Sequence, residues 1–156
     1  MSQITISAYY EEDHDRLDAL FLDFQRLKRQ DVGAARSSFV AFRSGLLTHI
    51  AWEEEILFPL FESKTGMSHS GPTFVMRAEH QQIKSLLEAI HKKVAEGNPD
   101  SDGDESMLLS VLGMHNTKEE NILYPAIDRS VSDEDRGAVF RKMREMPADA
   151  TPCCAG

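Results

Sequence analysis

Four histidines and two glutamates form the arrangement in this chain that could do chemistry. The segment from His49 reads HIAWEEEILFPLF, and the segment from His115 reads HNTKEENILYPAI. Both carry H-x-x-x-E-E-x-I-L-aromatic-P, and they lie 66 residues apart. The same offset relates DHDRLDAL, containing Asp13 and His14, to EHQQIKSL, containing Glu79 and His80. A His and a Glu four residues apart face the same way on an α-helix. His49 with Glu53, and His115 with Glu119, therefore each put two donors on one face, and His14 and His80 add one imidazole apiece. Neutral imidazole nitrogen and carboxylate oxygen both suit borderline transition ions such as iron, manganese or zinc. Six donors with internal two-fold symmetry predict two ions rather than one. Glu53 and Glu119 could each bridge them, with two histidines per ion and positions left open for water, oxo or an external ligand.

Such donors need elements to carry them, and the rest of the sequence supplies helices. Apolar residues recur at three- and four-residue steps. They run through Tyr10, Leu17, Phe21 and Phe24, then Phe42, Leu46, Ile50, Ile56 or Leu57, and Leu60. They continue through Met76, Ile83, Leu87, Ile90 and Val94, and finally Leu108, Leu112, Ile122 and Ala126. Glycine- and proline-rich breaks fall at Ser63–Pro72 and Gly97–Gly103, with a weaker one around Asp31–Gly33. Alternating strand patterns are absent. The expectation is an all-α chain: an up-down-up-down four-helix bundle with a short additional C-terminal helix over about 133–145. The bundle should occupy residues 1–146, and residues 147–156 should be a flexible tail.

On these helices the inward stripe of the second runs through Leu46, His49, Glu53, Ile56 and Leu60. That of the fourth runs through Leu112, His115, Glu119, Ile122 and Ala126. The candidate donors thus sit at core positions. A buried carboxylate without compensation is costly, so it must be paired or bind a metal. The competing reading is a metal-free core held by His–Glu hydrogen bonds. Glu54, Glu55 and Glu120 flank the donors and read as a solvated face. Tyr10 and Met76 each precede a donor histidine by one turn and read as caps, although Tyr10 could also donate a hydrogen bond into the site. Trp52 and Phe58 read as packing. Pro59 and Pro125 should kink or end their helices. His69 reads as a loop residue. His91 lies about 16 Å along the axis from His80 and reads as structural.

Composition narrows the partners. The chain has 156 residues, 41% hydrophobic and 28% charged, enough for one domain with a real core. Its 17 Lys+Arg against 26 Asp+Glu leave a formal charge of −9. That surface repels phosphate backbones and anionic bilayers, so neither nucleic acid nor membrane is an expected partner. No stretch of 18 residues lacks charge, and the acidic amino end is unlike a secretory signal. The only cysteines, Cys153 and Cys154, are adjacent and cannot staple a core. A reducing, cytoplasmic setting is expected.

As a set, H-x-x-x-E on two helices with a lone His on each of the other two resembles the hemerythrin-like family, also named the HHE cation-binding domain. The resemblance spans about residues 8–128. It implies a four-helix bundle around a non-haem di-iron centre, with His14, His49, His80 and His115 as terminal ligands and Glu53 and Glu119 as bridges. It implies binding or sensing of oxygen, nitric oxide or peroxide, or the handling of iron. An enzyme reducing nitric oxide or peroxide, or acting in iron–sulfur centre repair, is the alternative. Oxygen-carrying members have a further histidine where this chain has Lys84, and an Asp five residues after the last histidine, where this chain has Glu119 after four. The four-His, two-Glu set is instead similar to the branch linked to iron–sulfur centre repair and nitric oxide stress. Members of that branch usually carry Cys-Cys at the amino end, whereas here the pair is at the opposite end.

Overall fold

The computed structural model describes residues 4–147, and among these the chain is all-helical. Helix α1 spans Ile6–Leu27, and α2 spans Val32–Trp52. A π-helical turn, Glu53–Leu57, joins α2 to α3, Phe58–Thr65. Helix α4 covers Pro72–Ala95, and α5 covers Asp102–Lys118. A second π-helical turn, Glu119–Leu123, leads into α6, Tyr124–Ser130, and α7 covers Asp133–Glu145. The expected C-terminal helix is thus present. Ser132 caps it in a reciprocal pair with Asp135, each side chain meeting the other's backbone N–H. Of the expected tail, 147–156, all but Pro147 lies outside the described residues, Cys153 and Cys154 included.

Local chemistry sets the helix starts. The Thr5 hydroxyl accepts from Ala8 N–H and the Asp31 carboxylate from Ala34 N–H, each meeting an orphan donor of a first turn. The Asp128 carboxylate accepts from the N–H groups of Ile6 and Ser7 at 2.9 and 3.0 Å, fastening α1 to α6. Its counterpart in the repeat, Glu62, accepts from the Thr73 hydroxyl at 2.8 Å and fastens α4 to α3. The α1–α2 and α4–α5 hairpins are the closely packed pairs. Gly45 allows α1 and α2 to approach, since a Cβ there would lie 2.7 Å from the Leu17 side chain.

Two apolar clusters divide the interior. One gathers Phe21, Phe24, Phe39, Phe42, Leu87 and Ile90 from α1, α2 and α4, with Leu108 from α5. The other gathers Tyr10, Phe58, Phe61, Tyr124, Ile127 and Met143 from the start of α1 and from α3, α6 and α7. Buried His14, His49, Glu53, His80, His115 and Glu119 lie between the two, on helices that run from one cluster to the other.

The π turns correct the inward stripe expected beyond each glutamate. One extra residue per turn advances the buried register, so Leu57, Phe58 and Phe61 are buried and Ile56 and Leu60 only partly so. On the second repeat Leu123, Tyr124 and Ile127 are buried, while Ile122 is 61% exposed. Each wide turn also places its proline, Pro59 or Pro125, in the first turn of the following helix, where the missing N–H does no harm. The helices therefore carry on through the prolines rather than ending there.

Candidate metal centre

All six expected donors are buried and converge on one place. Donor atoms of Glu53, His80, His115 and Glu119 lie within 4.8 Å of one another, as do those of His14, His49 and Glu119. The histidines form two pairs. The His14 and His49 ring centroids are 4.8 Å apart, and those of His80 and His115 are 4.9 Å apart. Each glutamate reaches one histidine of each pair. Glu53 lies 3.5 Å from His49 Nε2 and 3.1 Å from His80 Nε2. Glu119 Oε1 lies 3.4 Å from His115 Nε2 and 3.3 Å from His14 Nε2.

Every imidazole is aimed by a carboxylate on its far nitrogen. Asp13 meets His49 Nδ1 at 2.8 Å, and Glu79, its repeat counterpart, meets His115 Nδ1 at 2.8 Å. Glu120 meets His14 Nδ1 at 2.7 Å, and Glu54 meets His80 Nδ1 at 2.7 Å. An ionised carboxylate can only accept, so each Nδ1 carries a proton and each Nε2 faces the centre. Fixing ring and tautomer this way is how proteins orient metal-binding histidines. Here the expectation that Glu54 and Glu120 belong to a solvated face is overturned: both are half-buried against their histidines. Glu55, between Glu54 and the next turn, is exposed as expected.

Three buried atoms at the centre have no hydrogen-bond partner among the described residues: Glu53 Oε1, His80 Nε2 and Glu119 Oε2. Glu53 Oε1 and His80 Nε2 are close enough for an ion pair but are not aligned as a hydrogen bond. Leaving a buried polar atom unmet costs about 1–3 kcal/mol. Three of them at one point, among nitrogen and oxygen donors only, fit a cation held between them.

The electrostatics of the donor set point the same way. Burial pulls the His49 pKa down, but the Glu53 charge and the Asp13 and Glu53 hydrogen bonds overcome it and hold it at about 10. For His80 burial is likewise outweighed, by Glu53 and Glu54, and its pKa stands at about 9. His14 is also raised, with Glu119 overcoming the effect of burial. Burial favours a neutral Glu53, yet the neighbouring His49 charge keeps its pKa well below the usual range. Protons on His14, His49 and His80 thus balance the buried carboxylates, a neutralisation that a bound cation would otherwise supply.

Sequence reasoning missed Tyr124, as it missed the part that Asp13 and Glu79 play. The Tyr124 hydroxyl donates to Glu53 Oε2 at 2.6 Å and lies 3.0 Å from Glu119 Oε1. It is also 3.3 Å from His14 Nε2 and 3.2 Å from His49 Nε2. The aromatic-Pro element of the repeat was the available signal, but only the π turn brings that position into the site. The counterpart, Phe58, has no hydroxyl and stacks on His80 at 5.9 Å and 8°. A hydroxyl therefore covers the His14–His49 pair, whereas an apolar ring covers His80. Tyr10 does not donate into the site, because its hydroxyl contacts Met143 Sδ at 3.3 Å while its ring packs on His49 and Tyr124. Trp52 packs beside Tyr9 and His49. His69 is exposed in the loop before α4, and His91 stacks on Phe39, away from the centre. Lys84 lies 3.8 Å from Glu54.

Comparison with known proteins agrees with this geometry. The iron-sulfur cluster repair protein YtfE of Enterobacter sp. (strain 638) is 27% identical over 137 residues, 77% of this chain and 61% of that protein. YtfE of Yersinia pseudotuberculosis serotype IB (strain PB1/+) is 31% identical over 91 residues, 54% of this chain and 41% of that protein. The chain thus spans less than two thirds of the length of these relatives. No solved structure matches it significantly. The family profile described as Hemerythrin HHE cation binding domain matches residues 5–127, which contain all six converging donors, and the chain belongs to that family.

Proposed function

We propose that this chain is a di-iron protein that binds or senses a small oxidant or diatomic molecule, or hands iron on. The ligands in this reading are His14 and His49 for one ion and His80 and His115 for the other, with Glu53 and Glu119 shared. The observation that carries it is the reach of each glutamate to one histidine of each pair, as a bridging carboxylate requires. The likeness to a cation-binding family supports iron, and the donor chemistry alone also admits manganese or zinc. The residues 1–146 would form one up-down-up-down four-helix bundle holding the site at mid-length.

When bound, iron would supply redox chemistry and open coordination positions. The protein's own part is different. Asp13, Glu54, Glu79 and Glu120 hold the four rings in register. The two apolar clusters exclude bulk water. Tyr124 holds a proton beside Glu53 and His14, where it can be donated to an exogenous ligand. A cavity of about 10 Å3 against His14, His49 and His115 is the size of a single water molecule. No helix among the described residues is long and apolar enough to cross a membrane.

The likeness to proteins named for iron–sulfur cluster repair favours a second reading, in which the same centre serves repair or reduces nitric oxide or peroxide. Metal analysis and the visible spectrum of protein purified without added metal test the first. About two irons per chain, with bands that change on adding nitric oxide or peroxide, are expected. Protein that takes up no ferrous ion anaerobically would overturn it. Multiple turnovers with a defined reductant would select the second reading.

A further inference from the structure

Two surface grooves flank the centre, and the 66-residue offset relates much of one to the other. One lies between α1 and α5 and includes Asp15, Asp18, Asn116 and Glu120. The other lies between α2 and α4, closed at one end by the last turn of α7, and includes Arg43, Lys84 and Lys142. Their counterparts differ in ways that matter. Asp18 corresponds to Lys84, and Asn116 to Ile50.

Only the α1–α5 groove meets the interior. Asp18, Leu112 and Asn116 line both that groove and the small cavity bounded by His14, His49, His115 and Glu119. The α2–α4 groove shares no lining residue with that cavity, and Ile50 stands as apolar wall at the position equivalent to Asn116. The open groove carries three carboxylates, Asp15, Asp18 and Glu120, and no basic side chain. The closed one carries three basic side chains among its acids. Glu119, which lines the inner cavity, keeps Oε2 buried without a hydrogen-bond partner.

We infer that divalent cations load the centre through the α1–α5 groove, with Asp18 and Asn116 as the oxygen donors at the partition. This rests on the metal-centre reading above. An anionic, low-dielectric cleft concentrates cations and raises their rate of capture. The Asp18 carboxylate and the Asn116 amide carbonyl are hard oxygen donors that can replace water on an ion before the imidazoles take it up. The uncharged wall on the α2–α4 side offers no such exchange.

The test is the rate at which metal-free full-length protein takes up cobalt(II), followed by stopped-flow absorbance under low and high salt. Asp18→Lys and Asn116→Ile copy the closed groove and should slow uptake by about tenfold or more, with the final metal content unchanged. Asp18→Asn, which keeps the shape, should slow it less and weaken its dependence on salt. Lys84→Asp, on the other groove, should leave the rate alone. Asp18 and Asn116 variants that load at the wild-type rate, or a Lys84→Asp variant that accelerates loading, would overturn the route while leaving the centre intact. Wild-type protein that takes up no cobalt would overturn the metal centre and the route with it.

Discussion

The Tyr124 hydroxyl donates to Glu53 Oε2 at 2.6 Å, joining two residues 71 apart in sequence at the middle of the donor set. Its counterpart in the other half is Phe58, so Tyr124→Phe makes the two halves alike at this position. The substitution removes a hydrogen bond to a buried charged group, worth about 1.5–3 kcal/mol. Urea unfolding of metal-free Tyr124→Phe should show a loss of that size. The loss should shrink in metal-loaded protein, where a cation takes over the neutralisation of Glu53. An equal loss in both forms would mean that no ion reaches Glu53.

Glu54 and Glu120 differ from Glu55 by contact alone, since all three are surface-proximal acids next to the donors. Glu54 and Glu120 hold His80 and His14 by Nδ1, and Glu55 holds neither. Glu54→Ala and Glu120→Ala should weaken metal affinity about 10–100-fold in a chelator competition. Glu55→Ala should match the parent. Equal affinities across the three would show that the rings do not depend on these carboxylates.

Removing the metal should change how stability responds to pH. Neighbouring carboxylates overcome burial to hold His49 at about 10 and His80 at about 9, both above the unfolded value of about 6.5. Raised pKa values give stabilisation that is complete below about 6.5 and is lost as pH rises through 9 and 10. The melting midpoint of metal-free protein should therefore fall between pH 6.5 and 10. Metal-loaded protein should melt higher and lack this decline, because ligation requires the neutral imidazoles. A metal-free midpoint that stays level over that range would contradict the protonated site.

At the far end of the molecule, Lys28 is buried against Glu105, with Asp102 beside it. Gln25 and Ser101 also donate to the Glu105 carboxylate. Lys28→Ala would leave that carboxylate buried and uncompensated, costing about 3–5 kcal/mol in chemical unfolding. The double variant Lys28→Met with Glu105→Leu should recover most of the loss. Metal content should not change in either, because the network lies beyond the apolar cluster of Phe24 and Phe39.

Much of the site was legible because its signal is local. His49–Glu53 and His115–Glu119 need only the helical period to share a face, and the 66-residue offset fixes which partners repeat. The helices follow in the same way from apolar spacing and breakers. Glu54 and Glu120 were misread for a related reason. On an isolated helix they point away from the stripe, and only a neighbouring helix presents the imidazole they hold.

What the sequence by itself determined was which histidines and glutamates share a helix face, their internal symmetry and the helices that carry them, because each depends on spacing along the chain. Tertiary structure alone decided how those segments meet. The two π turns advance the register by a residue, exposing Ile122 and driving Tyr124 into the centre, a change no 3.6-residue period contains. Packing of separate helices then gave each histidine its carboxylate and left one groove open beside Asp18 and the other walled by Ile50. Those outcomes depend on distances between residues far apart in the chain, which residue types and intervals do not encode.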